Sequence, residues 1–367
     1  MDWPRLSLFD RYLFKALLHP FWMGILGFTT MLSGTAILFN LVGDITRHGI
    51  PYSTGCLLFI MRLPGVMTYS FPMATVLAVL LALGRLAGDN EMVALRAGGV
   101  GLLRVAAPVL VFGLVVSLCT LVFNEWVVPK ATYKERELFL TITNQKRPAV
   151  RQNVNITEYD GEGRPKRILN ALEARGSLLL NVTIIEYETG LLSQVTQADS
   201  AEFHPDLGWQ FMHGVTHRFD PQDRYRMLVI EFEKQKLNFE LDPIDLTGRE
   251  KGSTEMNAVE LWKFIQFKNR LGENTRQLQM EFHHKFSIPF ACLIFALLGC
   301  PMAMRHHRTS NAFGVGLALL IIMVYYVAIA LSMGIGLTGA LPTLVAAWLP
   351  NLLIGGVGIY LLKRAAH

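Results

Sequence analysis

The sequence predicts an α-helical membrane protein with six transmembrane helices, three on either side of an inserted antiparallel β-jellyroll domain. Three observations predict it. Hydrophobic types make up 51% of the 367 residues and charged types 17%, against about a quarter charged in a typical soluble domain, and mean hydropathy is positive at +0.34. The apolar residues gather into six runs, each near the roughly 20 residues that a helix needs to cross a bilayer core. Between the third and fourth runs lies a long polar stretch in which runs give way to alternation.

The first run covers residues 16–42, interrupted by His19-Pro20 near its start. The second, residues 54–83, is long for one crossing and carries Arg62, Pro64 and Pro72. It reads as a short lead-in helix, a bend and then a span. The third covers residues 102–123, the fourth 286–304, the fifth 312–336 and the sixth 341–362. Residues 1–128 therefore hold the first three helices, residues 129–274 the β domain with a helix after it, and residues 275–367 the last three helices.

In the middle region Leu180, Val182 and Ile184 alternate with Asn181 and Thr183, and Leu228, Ile230 and Phe232 alternate with Val229, Glu231 and Glu233. Turn signals separate such segments: Asp160-Gly161-Glu162-Gly163, Thr189-Gly190 and Asp206-Leu207-Gly208. Short strands at this spacing predict an antiparallel sandwich or jelly roll. Asn257, with Glu260 three residues on, fits a capping box, and Leu261, Phe264 and Ile265 give the apolar stripe of the helix it would start.

Orientation follows from Lys and Arg beside the helix ends. With the N-terminus inside, the cytoplasmic flanks hold Arg5, Arg11, Lys15, Arg85, Arg96, Arg104, Arg305, Arg308, Lys363 and Arg364, while the short outer loops hold Arg47 and little else. Both termini are expected in the cytoplasm and the central domain outside. The net charge of +5 is a topological bias of this kind rather than a nucleic-acid footprint. The four cysteines fall in or beside apolar runs with no CxxC, which argues against a disulfide framework or zinc site. Residues 1–15 mix charged and apolar types and lead into a full span, unlike a cleavable signal.

Between spans two and three, Gly84-Arg85-Leu86-Ala87-Gly88-Asp89-Asn90-Glu91-Met92-Val93-Ala94-Leu95-Arg96-Ala97-Gly98-Gly99 is short and mixed in character. Asp89 or Asn90 can cap a helix that has Glu91 in its first turn and Gly98-Gly99 at its end. Such a helix, about residues 88–98, is either a plain connector or a coupling helix docked on a cytoplasmic motor, with Glu91 paired to a basic group. The chain contains no GxxxxGK[ST] phosphate loop. Any ATP would be bound by a separate ATPase, and no cofactor is expected in this chain.

Arg62 stands within a span, where a charge costs about 2.5–3.5 kcal/mol on insertion scales. It either snorkels to the outer interface or faces a cavity and an anionic headgroup, and Arg47 is the second candidate for that contact. His283-His284 and His306-His307 are adjacent pairs whose side chains diverge on a helix, so they read as interfacial rather than metal-binding. Glycosylation sequons occur within Asn153-Val154-Asn155-Ile156-Thr157 and at Asn181-Val182-Thr183. No Ser-His-Asp arrangement or carboxylate dyad emerges, which gives an enzyme reading no support without excluding it.

The chain resembles the LptF/LptG (YjgP/YjgQ) permeases of lipopolysaccharide export over nearly its whole length. The residues that carry the resemblance are Leu83-Gly84-Arg85-Leu86 with residues 91–99, Asn124-Glu125-Trp126-Val127-Val128-Pro129, Pro289-Phe290 with Gly299-Cys300-Pro301, and Leu341-Pro342 with Ala347-Trp348-Leu349-Pro350-Asn351. The resemblance implies an ABC transporter permease of the bacterial inner membrane with no metal or catalytic site. It implies pairing with a second LptF/LptG-type subunit or another copy, an LptB-like cytoplasmic ATPase dimer docked on the coupling helices, and lipid passage to LptC/LptA-like periplasmic jellyroll proteins. By motif position, Asp89, Glu91, Leu95 and Arg96 would couple to the ATPase, and Arg47 and Arg62 would meet lipid phosphate. The rival readings are an ABC-linked permease for another envelope lipid or lipoprotein, and a non-transport envelope scaffold.

Overall fold

A computed structural model of the chain describes residues 8–142, 150–159, 164–175, 177–188, 191–204, 208–219, 227–237, 251–270, 273–305 and 311–366. Two compact units divide it: Met1–Phe139, Ser253–Trp262 and Arg276–His367 in one, Leu140–Gly252 and Lys263–Thr275 in the other.

In the first unit, α1 (Leu8–Ser33) passes through a π-helical turn (Gly34–Leu38) into α2 (Phe39–His48). Then come α3 (Tyr52–Gly88), α4 (Glu91–Ala97) and α5 (Leu102–Ile142). After the β domain follow α6 (Ala258–Arg270), of which the residues up to Trp262 belong to this unit, then α7 (Arg276–Arg305), α8 (Asn311–Thr338) and α9 (Thr343–Ala366). Six helical stretches among the described residues are long and apolar enough to cross a membrane, three before the β domain and three after it. The 3 + 3 arrangement is the one the six apolar runs predict.

Two elements differ from expectation. The second run is not a lead-in helix and a span: α3 is one helix of 37 residues with Pro64 and Pro72 inside it. Spanning helices absorb prolines where neighbours meet the freed backbone groups. The third helix does not stop with its apolar run near residue 123. It continues through Pro129 to Ile142, 41 residues in all, or about 60 Å, because residues 130–142 are mostly Lys, Glu, Arg, Leu and other types that sustain a helix.

Inside the bundle, two prolines can be followed to their consequences. Proline lacks an N–H, so the carbonyl four residues earlier loses its helical partner, and hydrocarbon offers no replacement. Pro289 frees the Lys285 carbonyl, to which the Asn124 side-chain amide donates at 3.2 Å. Pro350 frees the Ala346 carbonyl, which accepts from the buried Ser332 hydroxyl. Next to it Asn351, 4% exposed, donates to the Ser287 carbonyl at 2.7 Å and accepts from the Tyr325 hydroxyl at 2.8 Å. α5 and α7 approach closely at Gly113, where a Cβ would lie 2.5 Å from that of Ala296.

The second unit is built on six antiparallel strands: β1 (Val150–Tyr159), β2 (Pro165–Arg175), β3 (Leu178–Glu188), β4 (Leu191–His204), β5 (Gly208–Phe219) and β6 (Met227–Leu237). They pair in sequence order as a meander. Buried side chains on one face of a strand should recur at even spacing. Here the spacing turns odd midway: Leu169 and Ala171 then Ala174, Leu179 then Val182 and Ile184, Thr196 and Ala198 then Ala201, Trp209 and Phe211 then Thr216. Each strand carries one extra residue, and the extras lie side by side. Asn153, Leu172, Asn181, Asp199, His213 and Glu233 fall opposite one another, yet they drop out of the pairing in all five strand pairs.

These aligned unpaired positions crease the sheet across its middle while the register on either side stays the same. Leu172, Asn181, Asp199, His213 and Glu233 point outward at the crease, and Asn181 and His213 take left-handed backbone angles, φ 50° in each. The two halves face each other. Thr216 donates to Gln235 at 3.2 Å, although Gln235 pairs opposite Phe211, about 17 Å along a flat strand from Thr216. One apolar core, including Leu169, Ile184, Leu179, Trp209 and Phe211 with Phe203, Phe232 and Phe267 against it, fills the interior. The inserted antiparallel β domain is therefore present. Its two layers arise from one folded meander, so every connection among the described strands joins neighbours.

Candidate functional site

The segment singled out between spans two and three forms α4, a helix of seven residues. Its preceding residue Asn90 takes a left-handed φ of 61°, and the Asn90 carbonyl accepts from the Val93 and Ala94 N–H groups, both at 3.1 Å. At the other end the Val100 N–H reaches the Leu95 carbonyl at 3.0 Å with Gly99 at φ 81°, a Schellman closure that favours glycine there. The underside is anchored. Met92 is 3% exposed and Leu95 packs on the same apolar core. Val93, Ala94 and Ala97 face outward.

Asp89 is exposed and ends α3, its N–H bonding the Arg85 carbonyl at 2.9 Å. Arg96 lies in the helical backbone of α4. Glu91, partly buried, is held by a residue that the sequence did not flag: the Tyr12 hydroxyl of α1 donates to Oε1 at 3.1 Å and Oε2 at 2.9 Å. So the structure gives Leu95 an anchoring position and ties Glu91 to α1 through the Tyr12 hydroxyl. Nearby, Arg104 pairs with Asp10 at 2.9 Å.

The two arginines part company. The Arg62 guanidinium bonds Glu135 Oε1 at 2.8 Å through Nε and Asp44 Oδ2 at 3.2 Å through Nη2, joining α2, α3 and α5. Its charge is answered by two carboxylates 18 and 73 residues away in sequence. Neither acid was flagged, although a charge inside a span asks for a partner and few acids lie beside the spans. Arg47 stands exposed in the last turn of α2, with no ion pair among the described residues.

The Asn124-Glu125 motif acquires a structural account. Asn124 answers the Pro289 break, and Glu125 Oε1 accepts from the Ala258 N–H at 2.7 Å, at the first turn of α6. The predicted capping box is formed: the Glu260 N–H bonds Asn257 Oδ1 at 2.7 Å and the Asn257 N–H bonds Glu260 Oε2 at 3.1 Å. Leu261 and Ile265 are buried as the stripe requires. Arg136 grips Glu255 with one nitrogen at 3.0 and 3.1 Å.

In the β domain Val182 and Ile184 face inward as expected, but Leu179 rather than Leu180 continues their face, because the unpaired Asn181 intervenes. Leu228 and Ile230 are exposed and Phe232 packs on the core. The 160–163 and 189–190 turns, His306-His307, Arg5 and Arg308 lie outside the described residues. The four cysteines are free thiols. A family model described as lipopolysaccharide export system permease LptF/LptG matches residues 11–364. A search of curated proteins finds no match.

Proposed function

The chain belongs to the LptF/LptG family of lipopolysaccharide export permeases, and from that premise we propose that it is the membrane subunit of an ATP-driven exporter that extracts lipopolysaccharide from the inner membrane. ATP is hydrolysed by a separate LptB-like dimer docked on α4. The chain pairs with a second LptF/LptG-type subunit or with its own copy. The β domain receives the lipid and hands it to LptC/LptA-like periplasmic partners.

The observation that supports ATP coupling is α4 itself. A connector with no partner needs no buried underside. α4 is fixed to the apolar core by Met92 and Leu95, yet leaves Val93, Ala94 and Ala97 outward with the Glu91 carboxylate at their edge. That is a small, shallow surface of short side chains, suited to a groove, with one negative group to meet a positive one.

Extraction sets the energetic scale. Exposing acyl chains to water costs about 0.8 kcal/mol per CH₂, so several chains of roughly a dozen carbons cost about 30 kcal/mol or more. The carrier must keep chains in apolar surroundings. Six apolar spans and a creased sheet with an apolar interior supply surfaces of that kind. Arg47, exposed and with no carboxylate partner among the described residues, is the better placed of the two arginines for a lipid phosphate, since Arg62 would have to leave Asp44 and Glu135. The Lys and Arg distribution supports cytoplasmic termini and a periplasmic β domain.

The test is copurification from native membranes with mass spectrometry of bound proteins and lipids, on wild type and Glu91→Lys. Wild type is expected to bring down an ABC ATPase with lipopolysaccharide, and the variant to lose the ATPase. A different bound lipid would redirect the reading to another envelope cargo. Neither ATPase nor lipid, with both abundant in the membrane, would leave the scaffold reading in possession.

A further inference from the structure

α4 is joined to its neighbours by connectors that transmit little. Gly98, Gly99 and Gly101 follow it, and Asn90 in the left-handed region precedes it. A push on α4 that travelled by backbone alone would be spent turning these joints. Besides its apolar underside, α4 has one polar attachment to a span among the described side chains: the Tyr12 hydroxyl, shared by both oxygens of Glu91. Tyr12 lies in the second turn of α1, directly before Leu13, and Leu13 and Leu17 are wholly buried in the core that also holds Met92. Tyr12 is 41% exposed, and it reaches Glu91 through its hydroxyl.

The chemistry of the contact permits two partners at once. An ionised carboxylate offers about four lone-pair sites. One O–H lying between the two oxygens fixes the plane of the group and leaves the remaining sites open to a cation approaching from outside. Glu91 can thus be held from within the chain and still receive a guanidinium or ammonium from another protein.

We propose that Tyr12 is a positioning residue for coupling, whose hydroxyl ties Glu91 to α1 so that force applied to α4 passes into the first span. This rests on the reading of α4 as the ATPase-docking helix. α1 and α4 then move as one piece at this end, and the π-helical turn Gly34–Leu38 is where the rest of the first span takes up the difference.

The test uses the complete transporter reconstituted in liposomes, with its partner permease and ATPase, and reads lipid released per ATP hydrolysed. Tyr12→Phe removes the hydroxyl and keeps the ring. The complex is expected to assemble and the lipid yield per ATP to fall by about fivefold or more, the lower end of ordinary coupling energies. Replacing Tyr12 by p-aminophenylalanine, which puts an N–H donor where the hydroxyl stands, should recover part of the yield. A wild-type yield in Tyr12→Phe, loss of the ATPase from that variant, or a low yield that p-aminophenylalanine at position 12 leaves untouched would each overturn the proposal. Glu91→Lys is the independent arm. If it keeps both ATPase and transport, the docking role of α4 has failed. If it loses the ATPase while Tyr12→Phe transports normally, the tether alone has failed.

Discussion

Asn351 shows what single residues do in this bundle. Its side chain reaches the Ser287 carbonyl and the Tyr325 hydroxyl in a buried place, so Asn351→Leu would keep the volume while leaving the Tyr325 hydroxyl without its acceptor. The expected loss is about 1–3 kcal/mol, read as a lower melting midpoint of the purified protein in detergent. A double variant with Tyr325→Phe should recover much of it. Arg62 gives the opposite asymmetry. Arg62→Ala strands two partly buried carboxylates and should cost about 1–3 kcal/mol, whereas Asp44→Asn leaves the Glu135 contact in place and should cost less. Equal losses would argue against the shared clamp. At Gly99, an alanine must adopt the left-handed φ of 81°, at about 1–2 kcal/mol. Only the end of α4 should loosen, seen as faster amide exchange at Val100 with little change in overall melting.

At the scale of elements, Gly214 marks where the crease tolerates no side chain. A Cβ there would lie 2.4 Å from the Gln197 carbonyl and 2.5 Å from the Phe232 ring. Gly214→Ala should destabilise the β domain by about 1–3 kcal/mol and speed its limited proteolysis in the full-length protein, with the spans unaffected. Elements also show what could be read in advance. The spans were legible because hydrocarbon imposes length and apolarity residue by residue. The Asn257–Glu260 box was legible because its partners are three residues apart. The Arg62 clamp was not, because its acids come from other helices, and neither was the Tyr12–Glu91 contact, across 79 positions. The strand faces were half legible. Val182 and Ile184 kept the expected alternation, and Leu180 broke it because the crease at Asn181 is specified jointly by six strands.

For the whole molecule, the distribution of Lys and Arg makes a directional prediction. In a cysteine-free background, Asp199→Cys on the β domain should react with a membrane-impermeant maleimide applied to spheroplasts. Ala97→Cys on α4 should react only after the membrane is opened. Reversal of the two would invert the proposed topology. The crease has a further consequence, for how such a chain can vary by inheritance. Deleting the extra residue from one strand, Asn181 for instance, would put half of β3 out of step with both neighbours at once. Removing the fold line without loss would take six deletions together, at Asn153, Leu172, Asn181, Asp199, His213 and Glu233. Lineages that carry this domain should therefore gain and lose residues at its turns and almost never at the middle of a single strand, which a survey of length differences among its descendants would reveal.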